Sequence, residues 1–168
     1  LELMEAVGYD AMTPGNHDWS YGKDALKSLG DAMQAETGGV ILAANVAKED
    51  GSAFFDTPYR IKEIPAEDGS TIRGGVFGIY DPRLSSSTAP KNVEGLVFLD
   101  DVQTANDLAA RLKTQEGCDL VILLSHHLDC AAFVAQTRGI DLMIAGHEHK
   151  VINEDAADLD GKPVRIVE

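Results

Sequence analysis

Apolar residues recur along the chain in two patterns, which together predict a series of helices and strands. Spacing of about 3.6 residues predicts helices at 1–7, at 23–36, from Asp100 or Asp101 to Glu116, and, for a short helix, at 131–137. Short apolar runs bounded by turn residues predict strands at 9–12, 40–44, 59–64, 71–79, 119–124, 140–145 and 164–167. Because strands and helices alternate over much of the chain, the sequence predicts an α/β fold.

Two segments depart from this alternation. The strands on either side of Asp68 and Gly69 are predicted to pair as a β-hairpin with a solvated tip. Residues 80–95 contain two prolines and three consecutive serines but no apolar period, so they predict a long loop. Such a loop is either a functional or mobile segment or a plain connector, and the sequence leaves both readings open.

The five histidines of the chain fall in three short clusters. These are His17, the pair His126 and His127, and the pair His147 and His149. Each cluster follows a predicted buried parallel strand, and the carboxyl ends of such strands share one edge of a sheet, where the clusters are expected to meet. Because histidine is the commonest metal ligand, three clusters at equivalent strand ends predict a metal centre rather than isolated packing residues.

The first cluster lies in the stretch Thr13 to Asp18, which places an amide, an imidazole and a carboxylate side by side. Pro14 and Gly15 end the preceding strand and allow a loop from which Asn16 and His17 can project. The same residue types also favour an ordinary turn, so this stretch alone does not decide between a turn and a site.

Three motifs of the chain, in this order, resemble those of the calcineurin-like dinuclear metallophosphoesterases. They are Gly15-Asn16-His17-Asp18, Leu124-Ser125-His126 and Gly146-His147-Glu148-His149. The likeness is to the bacterial 5'-nucleotidase branch, whose chains similarly read Gly-Tyr-Asp-Ala before the Asn-His motif and Ile-Asp-Leu before the Gly-His-x-His motif. That family also has earlier Asp-x-His and Gly-Asp motifs, and neither precedes Gly15 here. The resemblance therefore implies that residues 1–168 are a single, truncated catalytic domain of a larger enzyme.

For the fold, the resemblance implies an α/β/β/α sandwich of two mixed sheets flanked by helices, here without its N-terminal strands. For the function, it implies hydrolysis of phosphoric esters at a dinuclear metal centre, most simply by a 5'-nucleotidase-like phosphomonoesterase acting on a nucleotide. A 2',3'-cyclic nucleotide phosphodiesterase, a sugar-phosphate or sulfur-ester hydrolase, and a non-catalytic metal-binding module remain as alternatives. Residues 1–168 alone are expected to be inactive or weakly active.

The ligands of the two ions are also implied by the resemblance, residue by residue. Asn16, His126 and His147 match ligands of one divalent ion, and His149 matches a ligand of the other. Such ligands suit Zn, Mn, Fe or Co. The remaining ligands would belong to the upstream motifs, so we expect at most one ion to be well held by this segment alone.

The resemblance assigns catalysis to His17, as the histidine that lies near the substrate rather than on the metal. Many relatives carry an Asp three residues later that orients this histidine, but here that position is Ser20. Asp18 is the nearest candidate for the orienting role. His127 matches no family position, and we expect it to be an exposed histidine or one that supports the ligands from outside.

The spacing of the last histidine pair carries a geometric expectation of its own. In an extended segment, side chains two residues apart point to the same side. His147 and His149 would then both face the metal centre, and Glu148 would face away.

Composition and charge narrow the range of partners. The formal net charge of -14 disfavours nucleic acid and anionic membrane surfaces, so a small phosphorylated substrate is the expected partner. Cys118 and Cys130 predict neither a disulfide framework nor a metal quartet. No apolar run approaches the roughly 20 residues that span a bilayer. By resemblance, an extracytoplasmic location is favoured, and absent strands would leave an apolar sheet face through which the piece can self-associate.

Overall fold

The computed structural model describes residues 2–168, and within them the chain forms four α-helices and ten strands. The helices are α1 (Glu2–Val7), α2 (Lys23–Thr37), α3 (Asp101–Thr114) and α4 (Cys130–Val134). The strands are β1 (Ala11–Met12), β2 (Val40–Ile41), β3 (Val46–Lys48), β4 (Tyr59–Pro65), β5 (Thr71–Tyr80), β6 (Leu96–Phe98), β7 (Leu120–His126), β8 (Leu142–Ala145), β9 (Asn153–Ala157) and β10 (Pro163–Val167).

The main feature of the fold is a six-stranded mixed sheet with the order β4-β5-β7-β8-β10-β9. Its four central strands, β5, β7, β8 and β10, are parallel to one another. The edge strands are antiparallel to the strands beside them, β4 to β5 and β9 to β10. The carboxyl ends of the four parallel strands therefore lie along one edge of the sheet. The loops that follow β5, β7 and β8, together with the residue that follows β10, meet at this edge.

The remaining strands form two short pairs outside the large sheet. β1 pairs with β2 in parallel, and β3 pairs with β6 antiparallel. The predicted α/β class with a mixed sheet and flanking helices is confirmed, with these two pairs in place of a second mixed sheet. The expectation that all three histidine clusters follow strands of one sheet is wrong, because β1 belongs to a separate pair.

Two hydrophobic cores accompany these two sets of strands. The larger core lies where α3 and α4 pack against the large sheet, and it includes Phe77, Leu112, Leu123 and Phe133. The smaller core surrounds the fully buried Trp19 and takes in residues of α2, β2 and β3. Side chains alternate between buried and half-buried along β7, so this strand is fully covered on one face only, which corrects the expectation of a strand buried on both faces.

The large sheet forms one layer of the fold, and the short strand pairs form a second. The two layers are joined at Gly78 and Asn45. The main-chain N–H of Ala44 donates to the carbonyl oxygen of Gly78 at 2.9 Å. The buried Asn45 side chain donates to the carbonyl of Tyr80 at 2.7 Å and accepts from its N–H at 2.9 Å. The end of β5 is therefore fixed to the segment that follows β2 by one main-chain hydrogen bond and by two hydrogen bonds of the Asn45 side chain.

Most predicted elements are confirmed within a few residues. The first helix ends at Val7 as expected, and Leu1, which the prediction also included, lies outside the described residues. The predicted hairpin is present as the β4–β5 pair. The predicted loop at 80–95 instead contains 3₁₀ helices at Pro82–Ser87 and Pro90–Asn92. β3, β6 and β9 were missed because the first two are three residues long and the sequence of β9, NEDAA, is polar.

Two further expectations bear on the surface. No helix within residues 2–168 has both the length and the apolar character needed to cross a membrane. On β8, Ile144 is 42% exposed, as expected for a sheet face that is incompletely covered. Self-association through this face stays a prediction.

The junction between the layers gives a first test. A Cβ atom placed on Gly78 would lie 2.0 Å from the carbonyl oxygen of Leu42, which is main chain and cannot rotate away. We expect Gly78→Ala to lower the free energy of unfolding by about 3 kcal/mol, the upper end of overpacking costs. Gly74→Ala on the same strand is the matched control, because its nearest contact is the flexible end of Ile64 at 3.0 Å. Urea denaturation of both variants measures the difference, and equal midpoints would contradict the tight junction.

Candidate metal centre

Asn16, His126 and His147 come together, although they start from different parts of the fold. Asn16 begins the 3₁₀ helix Asn16–Tyr21, His126 is the last residue of β7, and His147 follows β8 by two residues. The Nε2 atom of His126 lies 3.1 Å from Asn16 Oδ1 and 3.1 Å from His147 Nδ1. The predicted convergence of these three side chains is therefore present, and it joins the two layers of the molecule.

These distances fit ligands of one divalent ion. Two donor atoms that each lie about 2.1 Å from an ion are separated by about 3.0 to 3.4 Å in octahedral or tetrahedral geometry. Burial lowers the pKa of the His126 imidazole below its usual range, and His147 lowers it further. The neutral form of histidine is the form that binds a metal. The donor set of two imidazoles and an amide oxygen therefore suits a borderline divalent cation.

Glycines hold the His126 ring on two sides. A Cβ atom on Gly15 would lie 2.7 Å from His126 Cε1 and 2.8 Å from Nε2, so the ring rests directly on the main chain of the loop before Asn16. A Cβ atom on Gly146 would lie 3.4 Å from His126 Nδ1, which is an ordinary contact. The close approach at Gly15 allows Asn16 and His126 to share one point.

The loop that carries His147 and His149 is not extended. His147 has φ 105° and His149 has φ 55°, both positive values that non-glycine residues rarely adopt. The expectation of an extended segment that points both side chains to one side is therefore wrong, because the backbone bends at each histidine. His149 is exposed, Glu148 is half-buried and bonded to Lys150, and the His149 N–H donates to Glu168 Oε1 at 2.8 Å.

His17 and Asp18 are both exposed beside the converging ligands. Asp18 accepts a hydrogen bond from the N–H of Gly15 at 2.7 Å and so closes the first turn of the 3₁₀ helix. Among residues 2–168, no hydrogen bond links Asp18 to His17. Of the neighbouring aromatic residues, Trp19 is core and Tyr21 is 91% exposed.

His127, next to the candidate ligand His126, is fully buried. Its Nδ1 atom is hydrogen-bonded to Ser125 Oγ, its Nε2 atom lies 3.0 Å from Asp101 Oδ2, and its ring packs on Phe133. The exposed alternative for this residue is wrong, because Asp101 at the start of α3 draws the ring inward. The end of β7 is thereby tied to α3 directly behind His126.

Asp81 completes a cluster of ionisable groups with Asp101 and His127, whose ligand atoms lie within 4.8 Å of one another. This spacing could hold an ion, but each group already has partners. The Arg83 guanidinium binds both carboxylate oxygens of the buried Asp81, and the Leu128 N–H donates to it as well. Burial opposes ionisation of Asp81 and Asp101, yet Arg83 and His127 respectively hold their pKa values below the usual range. We therefore interpret the cluster as an anchor for the loop after His126.

Sequence reasoning missed three residues that shape this site. The sequence pattern places Asp101 at the start of a helix and Asp81 in a loop, and it assigns no role to Glu168. Asp81 follows β5 and Glu168 follows β10, so both lie at the carboxyl edge of the large sheet. Asp101, at the start of α3, reaches the same edge through its contact with His127. A search for acidic residues after every parallel strand, rather than for histidines alone, would have found Asp81 and Glu168.

The contact at Gly15 yields a second prediction. Gly15→Ala should displace the His126 ring and weaken Mn²⁺ or Zn²⁺ binding by about 10- to 100-fold, the loss typical when groups that orient a ligand are changed. Gly146→Ala, with its ordinary contact, is the control and should bind nearly as the parent does. Isothermal titration calorimetry measures both. Equal affinities in the two variants would mean that the position of the His126 ring does not govern binding.

The buried histidine yields a third prediction. Asp101→Ala leaves His127 Nε2 buried without its partner, and we expect the free energy of unfolding to fall by about 1–3 kcal/mol. Asp107→Ala, an exposed carboxylate on the same helix, is the matched control and should change stability by less than about 0.5 kcal/mol. Chemical denaturation without metal decides the point. A loss in Asp101→Ala no larger than in the control would show that the anchor is not stabilising.

The chain is similar in sequence to segments of much longer proteins. It is 33% identical over 166 residues to the trifunctional nucleotide phosphoesterase protein YfkN of Bacillus subtilis, covering 89% of this chain and 11% of that protein. It is 29% identical over 167 residues to a 2',3'-cyclic-nucleotide 2'-phosphodiesterase/3'-nucleotidase of Haemophilus influenzae, covering 90% and 24%. It is 28% identical over 168 residues to a probable 5'-nucleotidase of Treponema pallidum, covering 96% and 26%. No protein-family model matches the chain.

Solved structures agree with these relatives. The sulfate thiohydrolase SoxB of Thermus thermophilus superposes with a TM-score of 0.78 at 26% identity, over 99% of this chain and 28% of that one. The calcineurin-like phosphoesterase YfkN of Bacillus subtilis superposes with a TM-score of 0.75 at 31% identity, over 90% of this chain and 48% of that one. The chain is therefore a homologue of the calcineurin-like phosphoesterases and 5'-nucleotidases, and it corresponds to a segment of those longer proteins.

Proposed function

We propose that the protein is a metal-dependent hydrolase of nucleotide phosphoesters, with 5'-nucleotidase activity as the first candidate. One observation carries this proposal. Asn16 Oδ1 and His147 Nδ1 both lie within hydrogen-bond distance of His126 Nε2. The names of the relatives support the same chemistry, since they include a nucleotide phosphoesterase and a probable 5'-nucleotidase.

In this proposal Asn16, His126 and His147 hold one divalent ion, and His149 contributes to a second. Bound ions of this kind polarise phosphoryl oxygens and supply a nucleophile at neutral pH. The chain's own part is to keep the His126 imidazole neutral and the proposed ligands convergent. Burial of His126 and its packing against Gly15 support that role. The negative charge of the protein as a whole would repel a phosphate, so the local charge has to come from the ions.

His17 is the proposed catalytic histidine. It directly follows Asn16 and its side chain is exposed, so a substrate at the metal centre can reach it. A protonated His17 would stabilise charge on the phosphoryl group or donate a proton to the leaving oxygen. Asp18 would act indirectly in this scheme, because its carboxylate fixes the Gly15 N–H and with it the first turn that presents His17.

A second candidate function is cleavage of 2',3'-cyclic nucleotides. It is favoured by the relative from Haemophilus influenzae, which is named for that activity and is about as similar as the probable 5'-nucleotidase. The metal centre would serve both reactions, since each is attack on a phosphate ester. Phosphate release from AMP and formation of adenosine monophosphate from 2',3'-cyclic AMP, both measured on the intact enzyme with Mn²⁺ or Zn²⁺ present, distinguish the two candidates. An intact protein, with any upstream segment included, that binds metal but hydrolyses neither substrate would support the non-catalytic module.

The fourth prediction separates ligand from catalyst. In the intact enzyme, His147→Ala should lower metal content and activity together, because it removes a proposed ligand, whereas His17→Ala should lower turnover while metal content stays near that of the parent. Metal analysis after dialysis, combined with phosphate release from AMP, measures both quantities. Equal metal loss in the two variants would contradict the assignment of His17.

A further inference from the structure

Glu168 lies beside the loop that carries two of the proposed ligands. It follows β10, whose parallel neighbour β8 leads into Gly146 and His147. Its main chain exchanges hydrogen bonds with Ile152 at 3.0 and 3.2 Å, and its Oε1 atom accepts from the N–H of His149 at 2.8 Å. Glu168 therefore binds the loop after β8 through its main chain, at Ile152, and through its side chain, at His149.

The loop needs such support because its backbone is unfavourable. Positive φ values in non-glycine residues are energetically unfavourable and persist only where the surroundings hold them. His147 and His149 both have positive φ. Within residues 2–168, the main chain of His149 is bound by one side chain, that of Glu168.

The other carboxylate oxygen of Glu168 is also informative. Oε2 is buried and has no hydrogen-bond partner among the described residues. Burying a carboxylate oxygen without a hydrogen-bond partner is energetically costly. The position of Oε2 therefore indicates that it has a cationic or N–H partner when the site is occupied.

We propose that Glu168 is a positioning residue of the metal centre, which holds the His147–His149 loop through Oε1 and offers Oε2 as an acceptor to the loaded site. This inference rests on the proposed metal-dependent function. Histidines that bind a metal generally donate their second ring N–H to a carboxylate, a carbonyl or water, and such partners set both the ring orientation and the affinity. Glu168 supplies a carboxylate at the strand end next to the one that bears the histidines.

The fifth prediction compares two substitutions of this residue. Glu168→Ala removes both the hydrogen bond to His149 and the charge, and we expect it to weaken Mn²⁺ or Zn²⁺ binding by about 10- to 100-fold. Glu168→Gln keeps an acceptor for the His149 N–H and removes only the charge, so its loss should be smaller. Glu154→Gln, an exposed residue of the adjacent strand β9, controls for the change of net charge and should bind as the parent does.

The measurements are metal affinity by isothermal titration calorimetry and thermal unfolding without metal, made on the intact protein. A purely structural role would lower the unfolding temperature of both Glu168 variants while the folded proteins kept the parent's affinity, and that result would overturn the proposal. Parent-like affinity in Glu168→Ala, with the parent itself binding metal, would overturn this inference alone. Absence of metal binding by the parent would overturn the proposed function as well.

Discussion

The pairing of the Asn45 side chain with the main chain of Tyr80 is the interaction on which the candidate site most depends. Asn16 comes from the layer that contains β1 and β2, whereas His126 and His147 come from the large sheet. These residues can meet only if the two layers are held in one relative position. The buried Asn45 amide satisfies both the N–H and the carbonyl at the end of β5, so any shift between the layers would leave polar groups unpaired.

The same junction explains why Trp19 is a core residue and does not line the candidate site. Its ring meets Tyr80 edge-on with centroids 5.8 Å apart, and Tyr80 is the residue opposite His126 in the register of β5 and β7. The 3₁₀ helix that starts at Asn16 is thus packed through Trp19 onto the strand end beside His126. Burial raises the pKa of Tyr80 to about 12, so the packing does not depend on pH in the neutral range.

The sequence was sufficient to predict the convergence of Asn16, His126 and His147, because polar residues after strands of an α/β fold collect at strand ends. The three residues were expected to follow strands of one sheet, but Asn16 follows β1, which is not part of the large sheet. The bends at His147 and His149 could not be predicted, because positive φ in a non-glycine residue has no local sequence signal and is imposed by tertiary contacts. The burial of His127 likewise depends on Asp101, which is distant in sequence.

The site consequently has two halves that are held in different ways. His126 lies on the main chain of Gly15, and the adjacent buried His127 is fixed by Ser125 and Asp101, so this half is preorganised by packing. The half that carries His147 and His149 is a strained loop held at its end by Glu168. Strained backbone at a site persists only when partners on several sides hold it, and a bound ion would be one such partner. In the proposed centre, the first half would fix where an ion binds, and the ion would add to the hydrogen bond of Glu168 in ordering the second half.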